Sequence, residues 1–266
     1  MAQTAEPPIA IQVAGLTAGY DGLTLLREVS FTIRRGEVFV ILGTSGCGKT
    51  TLLRNMIGLE TPLAGRVLIE GDDLLAAPPA RRRQILRRFG VMFQNGALFG
   101  SLSVLENVRL PLEEFTRLDG PTMDLIARMK LHLVGLSAAA DRLPGELSGG
   151  MQKRAAIARA MALDPGILFL DEPSAGLDPV TSAGLDDLIL ELSGTLGVTF
   201  VVVTHELQSI FAIASRAIML DRDTQGILAT GTPAALRDQP PHDKVRRFFR
   251  RESDPPPPHP SPIAAP

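Results

Sequence analysis

The distribution of hydrophobic and polar residues predicts a chain that alternates between buried strands and helices. Val38–Leu42, Ile167–Leu170 and Val198–Val203 are apolar at nearly every position, which is typical of parallel strands buried on both faces. Glu28–Ile33 instead alternates polar and apolar residues, as an antiparallel strand with one exposed face does. We therefore expect a parallel sheet beside a smaller antiparallel layer.

Weaker signals complete this pattern. Further strands are predicted at Ile9–Val13, Gly65–Gly71, Phe89–Phe93, Ile218–Leu220 and Ile227–Ala229. Helices are predicted at Thr51–Ile57, from Pro79 onward, at Val180–Ser193, after His205, and near Pro233–Arg237 and Asp243–Arg251. Strands and helices that alternate in this way indicate an α/β fold.

A long central segment departs from the alternation. Residues 95 to about 163 contain no strand-like pattern, and they are predicted to form a helical insertion. Ser103 and Glu106 have the spacing of a capping box, and Met123–Val134 carries apolar residues at helical intervals. Gly149–Leu163 is rich in alanine. We therefore expect a helical subdomain inserted into the α/β domain.

The segment between the strand Val38–Leu42 and its following helix reads GTSGCGKT, from Gly43 to Thr50. Its glycines allow the backbone to curl so that N–H groups point at an anion, and the helix adds its N-terminal partial positive charge. Lys49 can reach the β- and γ-phosphates of a nucleotide, and the Thr50 hydroxyl can bind Mg²⁺. A glycine-rich turn that binds nothing is the alternative. The complete pattern between a strand and a helix favours nucleotide binding.

Two acidic residues follow the strand Ile167–Leu170. Asp171 is placed to hold the water shell of Mg²⁺, and Glu172 is placed to polarise a water molecule for attack on the γ-phosphate. The alternative is a strand that merely ends in two surface acids. Upstream, Ser148–Gly150 begins the alanine-rich helix, where a simple N-cap and a second anion site are both consistent with the sequence.

Composition excludes several classes of protein. The chain has 266 residues and a formal net charge of −2, which gives no general attraction to nucleic acid. Its single cysteine, Cys47, excludes an intramolecular disulfide and fits a reducing compartment. No apolar stretch reaches the ~18 residues of a membrane span, and the N-terminus lacks the features of a signal peptide. We expect a cytosolic protein that contacts a membrane only through partners.

Taken in order, the motifs from about residue 9 to 240 resemble the nucleotide-binding subunit of an ATP-binding cassette (ABC) transporter. The matching motifs are Tyr20 (the adenine-stacking aromatic), Gly43–Thr50 (Walker A), Gln94 (Q-loop), Ser148–Gly150 (signature), Asp171–Glu172 (Walker B), Ser174–Asp178 (D-loop) and His205 (switch histidine). Met151 stands where the family usually has glutamine, at a permissive position.

The resemblance implies a P-loop NTPase fold with a RecA-like parallel sheet core, an antiparallel β subdomain and an inserted α-helical subdomain. It implies ATP contacts from Tyr20, Gly43, Thr44, Ser45, Gly46, Cys47, Gly48, Lys49, Thr50, Thr51, Ser148, Gly149 and Gly150. It implies Mg²⁺ ligation by Thr50, Gln94 and Asp171, and it assigns ATP hydrolysis to Glu172, His205, Gln94 and Lys49.

The resemblance also implies a homodimer, because in this family two subunits enclose two ATP molecules. Ser148 and its glycines would hold the γ-phosphate that is bound by Lys49 of the partner subunit. Gln94 would bind Mg²⁺ and the attacking water while coupling the helical insertion to the nucleotide. His205 would contact the γ-phosphate and orient Glu172.

The segment Phe93–Leu112 reads FQNGALFGSLSVLENVRLPL and resembles the ATPases of MCE-associated lipid transporters, including the Mla (maintenance of lipid asymmetry) type. The implied partners are transmembrane permease subunits and a periplasmic MCE-domain protein, with the ATPase peripheral at the cytoplasmic face of the inner membrane. Some relatives add a STAS-domain subunit, which nothing in the sequence confirms. Leu98 and Phe99 suit a socket for a permease coupling helix or ordinary packing inside the helical subdomain.

Other functions remain open from the sequence. An ATPase that powers transport of an amino acid or a lipoprotein is the nearest alternative, and a soluble iron–sulfur assembly ATPase is a more distant one. A DNA-repair ATPase would need a long coiled coil between Walker A and the signature motif, and no such pattern occurs. ABC translation factors usually carry two cassettes in one chain.

We expect a flexible N-terminus over residues 1–8, an ABC ATPase domain over 9–240 and a basic helix over 241–253. Residues 254–266 are rich in proline and are predicted to be disordered. The basic helix has three interpretations, which are a contact with anionic lipid, packing on a neighbouring ATPase, and capping of its own domain.

Overall fold

The computed structural model describes residues 6–20 and 22–252. The proline-rich segment 254–266 and residues 1–5 of the predicted N-terminal segment lie outside the described residues.

The strands and helices follow the predicted alternation. The strands are β1 (Ile9–Tyr20), β2 (Leu23–Arg34), β3 (Val38–Gly43), β4 (Ala64–Ile69), β5 (Asp72–Asp73), β6 (Phe89–Met92), β7 (Ile167–Asp171), β8 (Thr199–Val203), β9 (Arg216–Asp221) and β10 (Gly226–Gly231). The helices are α1 (Lys49–Met56), α2 (Pro79–Leu86), α3 (Val104–Phe115), α4 (Gly120–Leu133), α5 (Gly149–Ala160), α6 (Pro179–Leu196), α7 (Leu207–Ile213), α8 (Pro233–Asp238) and α9 (Asp243–Arg250).

The strands form two sheets. The central sheet has the order β10–β9–β3–β8–β7–β6, in which the pairs from β9 to β6 are parallel and β10 is antiparallel to β9. The second sheet has the order β2–β1–β4–β5 and its pairs are antiparallel. The predicted parallel core, antiparallel β subdomain and helical insertion (α3 to α5) are therefore confirmed.

The apolar run of β3 is explained by burial on both faces of the central sheet. Val38, Val40 and Leu42 pack into a hydrophobic cluster shared with the helical insertion and α6. Phe39 and Ile41 point the other way, into a cluster shared with α1 and the antiparallel sheet. Because side chains alternate between the two faces of a strand, both sets of positions must be apolar.

Strands β1 and β2 are longer than the sequence predicted. Their pairing contains register shifts, for example between Val13 and Leu16, and Gly15 and Glu28 have positive φ values of 59° and 52°. Such bulges interrupt the alternation of polar and apolar residues without ending the strand. The alternation of polar and apolar residues therefore underestimates the lengths of β1 and β2.

Helix α9 caps its own domain. Val245 and Phe249 are buried in the same cluster as the helical insertion. Lys244 donates hydrogen bonds to Asp221 (2.7 Å) and Asp223 (2.5 Å) at the end of β9. Of the three interpretations of the basic helix, this packing favours the cap.

Gly90 is the position where β6 and α5 approach most closely. A Cβ atom added at Gly90 would lie 2.0 Å from the carbonyl oxygen of Ala160, a backbone atom that cannot move aside. We expect Gly90→Ala to lower the free energy of unfolding by about 1–3 kcal/mol because the sheet and the helix must separate. Chemical denaturation measures this loss. Gly166→Ala is the matched control, since a Cβ there meets no atom within 4 Å, and equal losses for both variants would contradict the prediction.

Candidate functional site

The loop Gly43–Gly48 joins the C-terminal end of β3 to the first residue of α1. Gly43, Gly46 and Gly48 have φ values of 148°, 77° and 97°, which other residues rarely adopt. A Cβ at Gly43 would also lie 2.5 Å from the carbonyl oxygen of Leu220. No side chain caps the N-terminus of α1 and its first turn holds no acidic residue, so its amide groups and partial positive charge face the loop.

The Lys49 side chain reaches back to the first two residues of this loop. Its Nζ donates hydrogen bonds to the carbonyl oxygens of Gly43 (2.8 Å) and Thr44 (3.1 Å). Cys47 is buried beneath the loop, and burial raises the pKa of its thiol. A protonated, buried thiol is a poor nucleophile, so the structure favours a role for Cys47 as a small residue that the turn tolerates over a role as a reactive thiol.

The acidic pair lies at the same edge of the sheet. Asp171 ends β7, and Asp171 and Glu172 are only 7% and 9% exposed. Burial, and then the charge of Glu172, raise the pKa of Asp171. Within the described part of the chain, Asp171 Oδ1 and Glu172 Oε2 are buried without a hydrogen-bond partner. Buried polar atoms are normally hydrogen-bonded, so these two oxygen atoms call for a polar ligand.

Glu172 has an unusual backbone conformation. Its φ of 47° lies in the left-handed region, which costs a residue other than glycine roughly 1–2 kcal/mol. Its N–H donates to the carbonyl oxygen of Val203 at 2.8 Å. Strain of this kind concentrates at functional sites.

His205 lies beside Glu172. The imidazole Nδ1 is 2.9 Å from Glu172 Oε1. The contact follows from topology, because Val203 at the end of β8 pairs in register with Asp171 at the end of β7. Residues that follow two adjacent parallel strands emerge at one sheet edge.

These residues surround an open cleft of about 640 Å³. It is lined by Tyr20, Leu25, Gly43, Thr44, Ser45, Gly46, Gly48, Lys49, Thr50, Thr51, Gln94, Glu172, His205 and Phe248. The structure thus brings together most of the residues that the sequence predicted. Asp171 and Cys47 lie behind the cleft wall rather than on it.

Phe248 on α9 was missed by the sequence analysis. Val245, Phe248 and Phe249 have the spacing of one apolar helix face, which predicts that the helix packs on something. It does not predict that Phe248 reaches the same cleft as Tyr20.

The predicted signature residues lie elsewhere. Ser148 is the N-cap of α5 and accepts a hydrogen bond from Met151 N at 3.3 Å. Gly149 lines a separate cleft of about 410 Å³ together with Gln94 and Lys153. Within the described residues, Ser148, Gly149 and Gly150 are not part of the wall of the larger cleft. Within one chain, the two predicted phosphate-binding elements therefore line different clefts, and Gln94 lines both of these clefts.

Lys153 and Arg159 connect α5 to the Q-loop. Lys153 Nζ donates to the carbonyl oxygen of Gln94 and lies 3.4 Å from that of Glu172. Arg159 donates to the carbonyl oxygens of Gly96 and Ala97, each at 2.7 Å. Burial lowers the pKa of Lys153, against the opposing effect of Asp171 and Glu172.

A glycine-rich loop between a parallel strand and a helix, with two carboxylates at the adjoining sheet edge, defines a P-loop nucleotide-binding ATPase fold. Residues 26–175 match the family described as ABC transporter. The chain is 43% identical over 232 residues to the intermembrane phospholipid transport system ATP-binding protein MlaF of Escherichia coli K12, covering 87% of this chain and 85% of that one. It is 41% identical over 241 residues to the probable ribonucleotide transport ATP-binding protein mkl of Mycobacterium leprae, covering 91% and 69% of the two chains.

Solved structures agree with these sequence matches. The dimeric ABC transporter cassette MJ0796 superposes with a TM-score of 0.76 at 32% identity, covering 84% of this chain and 98% of that one. A second structure of MJ0796, a dimer in a post-hydrolysis state bound to ADP and Pi, gives a TM-score of 0.75 at the same identity and coverage. The chain belongs to the ABC transporter family and is an ATP-binding, ATP-hydrolysing subunit of such a transporter.

The helices of the described residues include none that is both long and apolar enough to cross a membrane.

Proposed function

We propose that this ATPase powers the movement of phospholipid or another lipid by a membrane permease that works with an MCE-domain protein. The single observation that carries this proposal is the 43% identity to MlaF over most of both chains. The segment Phe93–Leu112, with its resemblance to MCE-associated ATPases, supports the same cargo class. The relative mkl is described as a ribonucleotide transport protein, so a nucleotide cargo is the second candidate.

The cleft supports roles for the predicted residues that line it. The amide groups of Gly43–Gly48 and the Lys49 ammonium would bind the phosphates of ATP, while Tyr20 would stack on the adenine. Thr51 lies on the same wall. Glu172 would accept the proton of the attacking water, and His205, 2.9 Å from it, would hold the carboxylate in place.

The residues around Asp171 fit a Mg²⁺ ion. Magnesium prefers oxygen ligands and often takes only one or two protein ligands beside water and phosphate. Thr50 and Gln94 line the cleft, and the buried Asp171 Oδ1 lacks a partner among the described residues. When bound, the ion would neutralise charge on the β- and γ-phosphates.

The separation of the signature residues from the larger cleft supports a homodimer. Ser148, Gly149 and Gly150 would complete the ATP site of the partner subunit, and the related cassette MJ0796 is itself a dimer. We propose that the ATPase domain spans residues 9–240, with its helical subdomain at about 95–163, and that a basic segment containing α9 follows it.

The loop before α3 supports a permease contact. Asn107 is buried; its amide nitrogen donates to the carbonyl oxygens of Phe99, Leu102 and Ser103, and its amide oxygen accepts from Phe99 N. This network fixes the loop with Phe99 57% exposed, whereas Leu98 packs against the core. Phe99 is therefore a candidate contact for a transmembrane permease subunit at the cytoplasmic face of the inner membrane. A STAS-domain subunit is a further candidate partner.

Mass spectrometry of the full chain, purified with its native membrane partners, tests the cargo. We expect phospholipid and an MCE-domain protein to co-purify with the ATPase. The amount of bound lipid is compared between preparations of the wild type and of Glu172→Gln, the variant that is expected not to hydrolyse ATP. Recovery of an amino-acid-binding protein, or of a bound nucleotide cargo without lipid, would contradict the proposal.

A further inference from the structure

Lys153 joins three functional segments of the same chain. It is 8% exposed and lies on α5, the helix whose N-terminus carries Ser148. Its ammonium donates to the backbone carbonyl of Gln94 in the Q-loop and approaches that of Glu172 to 3.4 Å. Both acceptors belong to the main chain, so the lysine acts on the position of these residues rather than on their side chains.

A second cation on α5 serves as a comparison. Arg159 binds the carbonyl oxygens of Gly96 and Ala97, and it thereby ties the same Q-loop to the same helix. Of these two cations, Lys153 is the one whose hydrogen bonds also reach Glu172. Loss of Lys153 would therefore leave the Q-loop attached to α5 through Arg159 but remove the hydrogen bond between α5 and the Glu172 carbonyl.

The backbone of Glu172 needs such support. Its left-handed conformation is strained, and its carboxylate must remain beside His205 to act on a water molecule. The N–H of Glu172 donates to Val203, its carbonyl oxygen accepts from Ala175 N at 3.2 Å, and the buried Lys153 ammonium adds a charged donor 3.4 Å from the same oxygen. Hydrogen bonds from a charged donor are stronger than neutral ones, so removal of the ammonium should shift the residue.

We propose that Lys153 is a positioning residue that couples the two ATP sites of the dimer. The proposal rests on the proposed roles of Gln94, Glu172 and Ser148. In a composite dimer, Ser148 contacts the nucleotide bound to the partner subunit, whereas Glu172 serves the nucleotide of its own chain. Lys153 lies on the helix that Ser148 caps and contacts the Glu172 carbonyl, so docking of one ATP against α5 would shift Glu172 in the other site.

ATP hydrolysis by the full chain, purified with its membrane partners, tests this coupling. We expect Lys153→Met to lower kcat about tenfold or more while KM changes less than about threefold, because binding groups remain and only the base is displaced. The Hill coefficient for ATP should fall to about 1, since the sites no longer communicate. Lys153→Arg keeps a charged donor and should retain most of both properties.

Lys130→Met is the matched control. Lys130 is also a buried lysine of the helical subdomain, 6% exposed, and it bonds to Asp164 away from the site. Thermal unfolding of both variants separates a loss of folding from a loss of positioning. Lys153→Gln keeps a donor but loses the charge. We expect it to lower kcat and the Hill coefficient as Lys153→Met does.

Three outcomes would overturn the proposal. These are an equal loss of kcat in Lys130→Met, an unchanged Hill coefficient in folded Lys153→Met and Lys153→Gln, and a loss of both properties in folded Lys153→Arg. Glu172→Gln in the same preparation tests the proposed function separately. If that variant is inactive and Lys153→Met and Lys153→Gln behave as wild type, the positioning role is wrong and the assignment of the base stands.

Discussion

Replacement of Glu172 with glutamine is expected to reduce ATP turnover by roughly 10³-fold, which is the contribution of a general base. Glutamine has the size of glutamate but cannot accept the proton of the attacking water. Because Lys49 and the loop amides are unchanged, ATP should still bind. We therefore expect Glu172→Gln to accumulate as an ATP-bound dimer, measured by phosphate release and by size-exclusion chromatography with ATP.

Glu206→Gln is the matched control for this substitution. Glu206 is an exposed carboxylate 3.7 Å from the other ring nitrogen of His205, whereas Glu172 is buried and 2.9 Å from Nδ1. The control should keep nearly all activity, since its carboxylate does not line the cleft. Full ATP hydrolysis by Glu172→Gln, or an equal loss of ATP turnover in Glu206→Gln, would contradict the assignment of Glu172 as the general base.

Replacement of Ser148 with arginine is expected to separate ATP binding from ATP hydrolysis. Ser148 lies outside the cleft that holds Lys49, so a monomer should bind ATP with a Kd within about twofold of wild type. In a closed dimer, the arginine would occupy the space of the partner's γ-phosphate. We expect hydrolysis to fall at least about 100-fold, because a donor aimed at the transferred phosphate is lost and closure is blocked.

Two comparisons make this result specific. Thr232→Arg removes a similar hydroxyl N-cap, which accepts from Ala235 N at 3.2 Å on α8, and should cost only the roughly 1 kcal/mol of a lost cap. Lys49→Ala should weaken ATP binding itself, since it removes the cation in the loop. A weakened Kd for the Ser148→Arg monomer would mean that Ser148 belongs to the ATP site of its own chain.

Local motifs made much of the site predictable. A P-loop requires adjacent residues in a fixed order, so Gly43–Thr50 could be assigned without knowledge of the fold. Burial on both faces likewise made β3, β7 and β8 predictable, because no exposed face interrupts their apolar runs. The bulged hairpin of β1 and β2 was predicted only in part, since Gly15 and Glu28 break its alternation. The two-residue strand β5 has no sequence signal of this kind.

The sequence by itself determined that the protein uses ATP, its fold class and the order of its motifs, because each depends on residues that are close in the chain. Tertiary structure decided which of these residues meet. The pairing of β7 with β8 brought His205 into contact with Glu172. Helix packing brought Phe248 to the cleft that Tyr20 lines, and it brought Lys153 to the backbone carbonyls of Gln94 and Glu172. It also left Ser148 outside the cleft that Lys49 lines. These contacts join residues far apart in sequence, and only the packing of helices on the sheet fixes their distances.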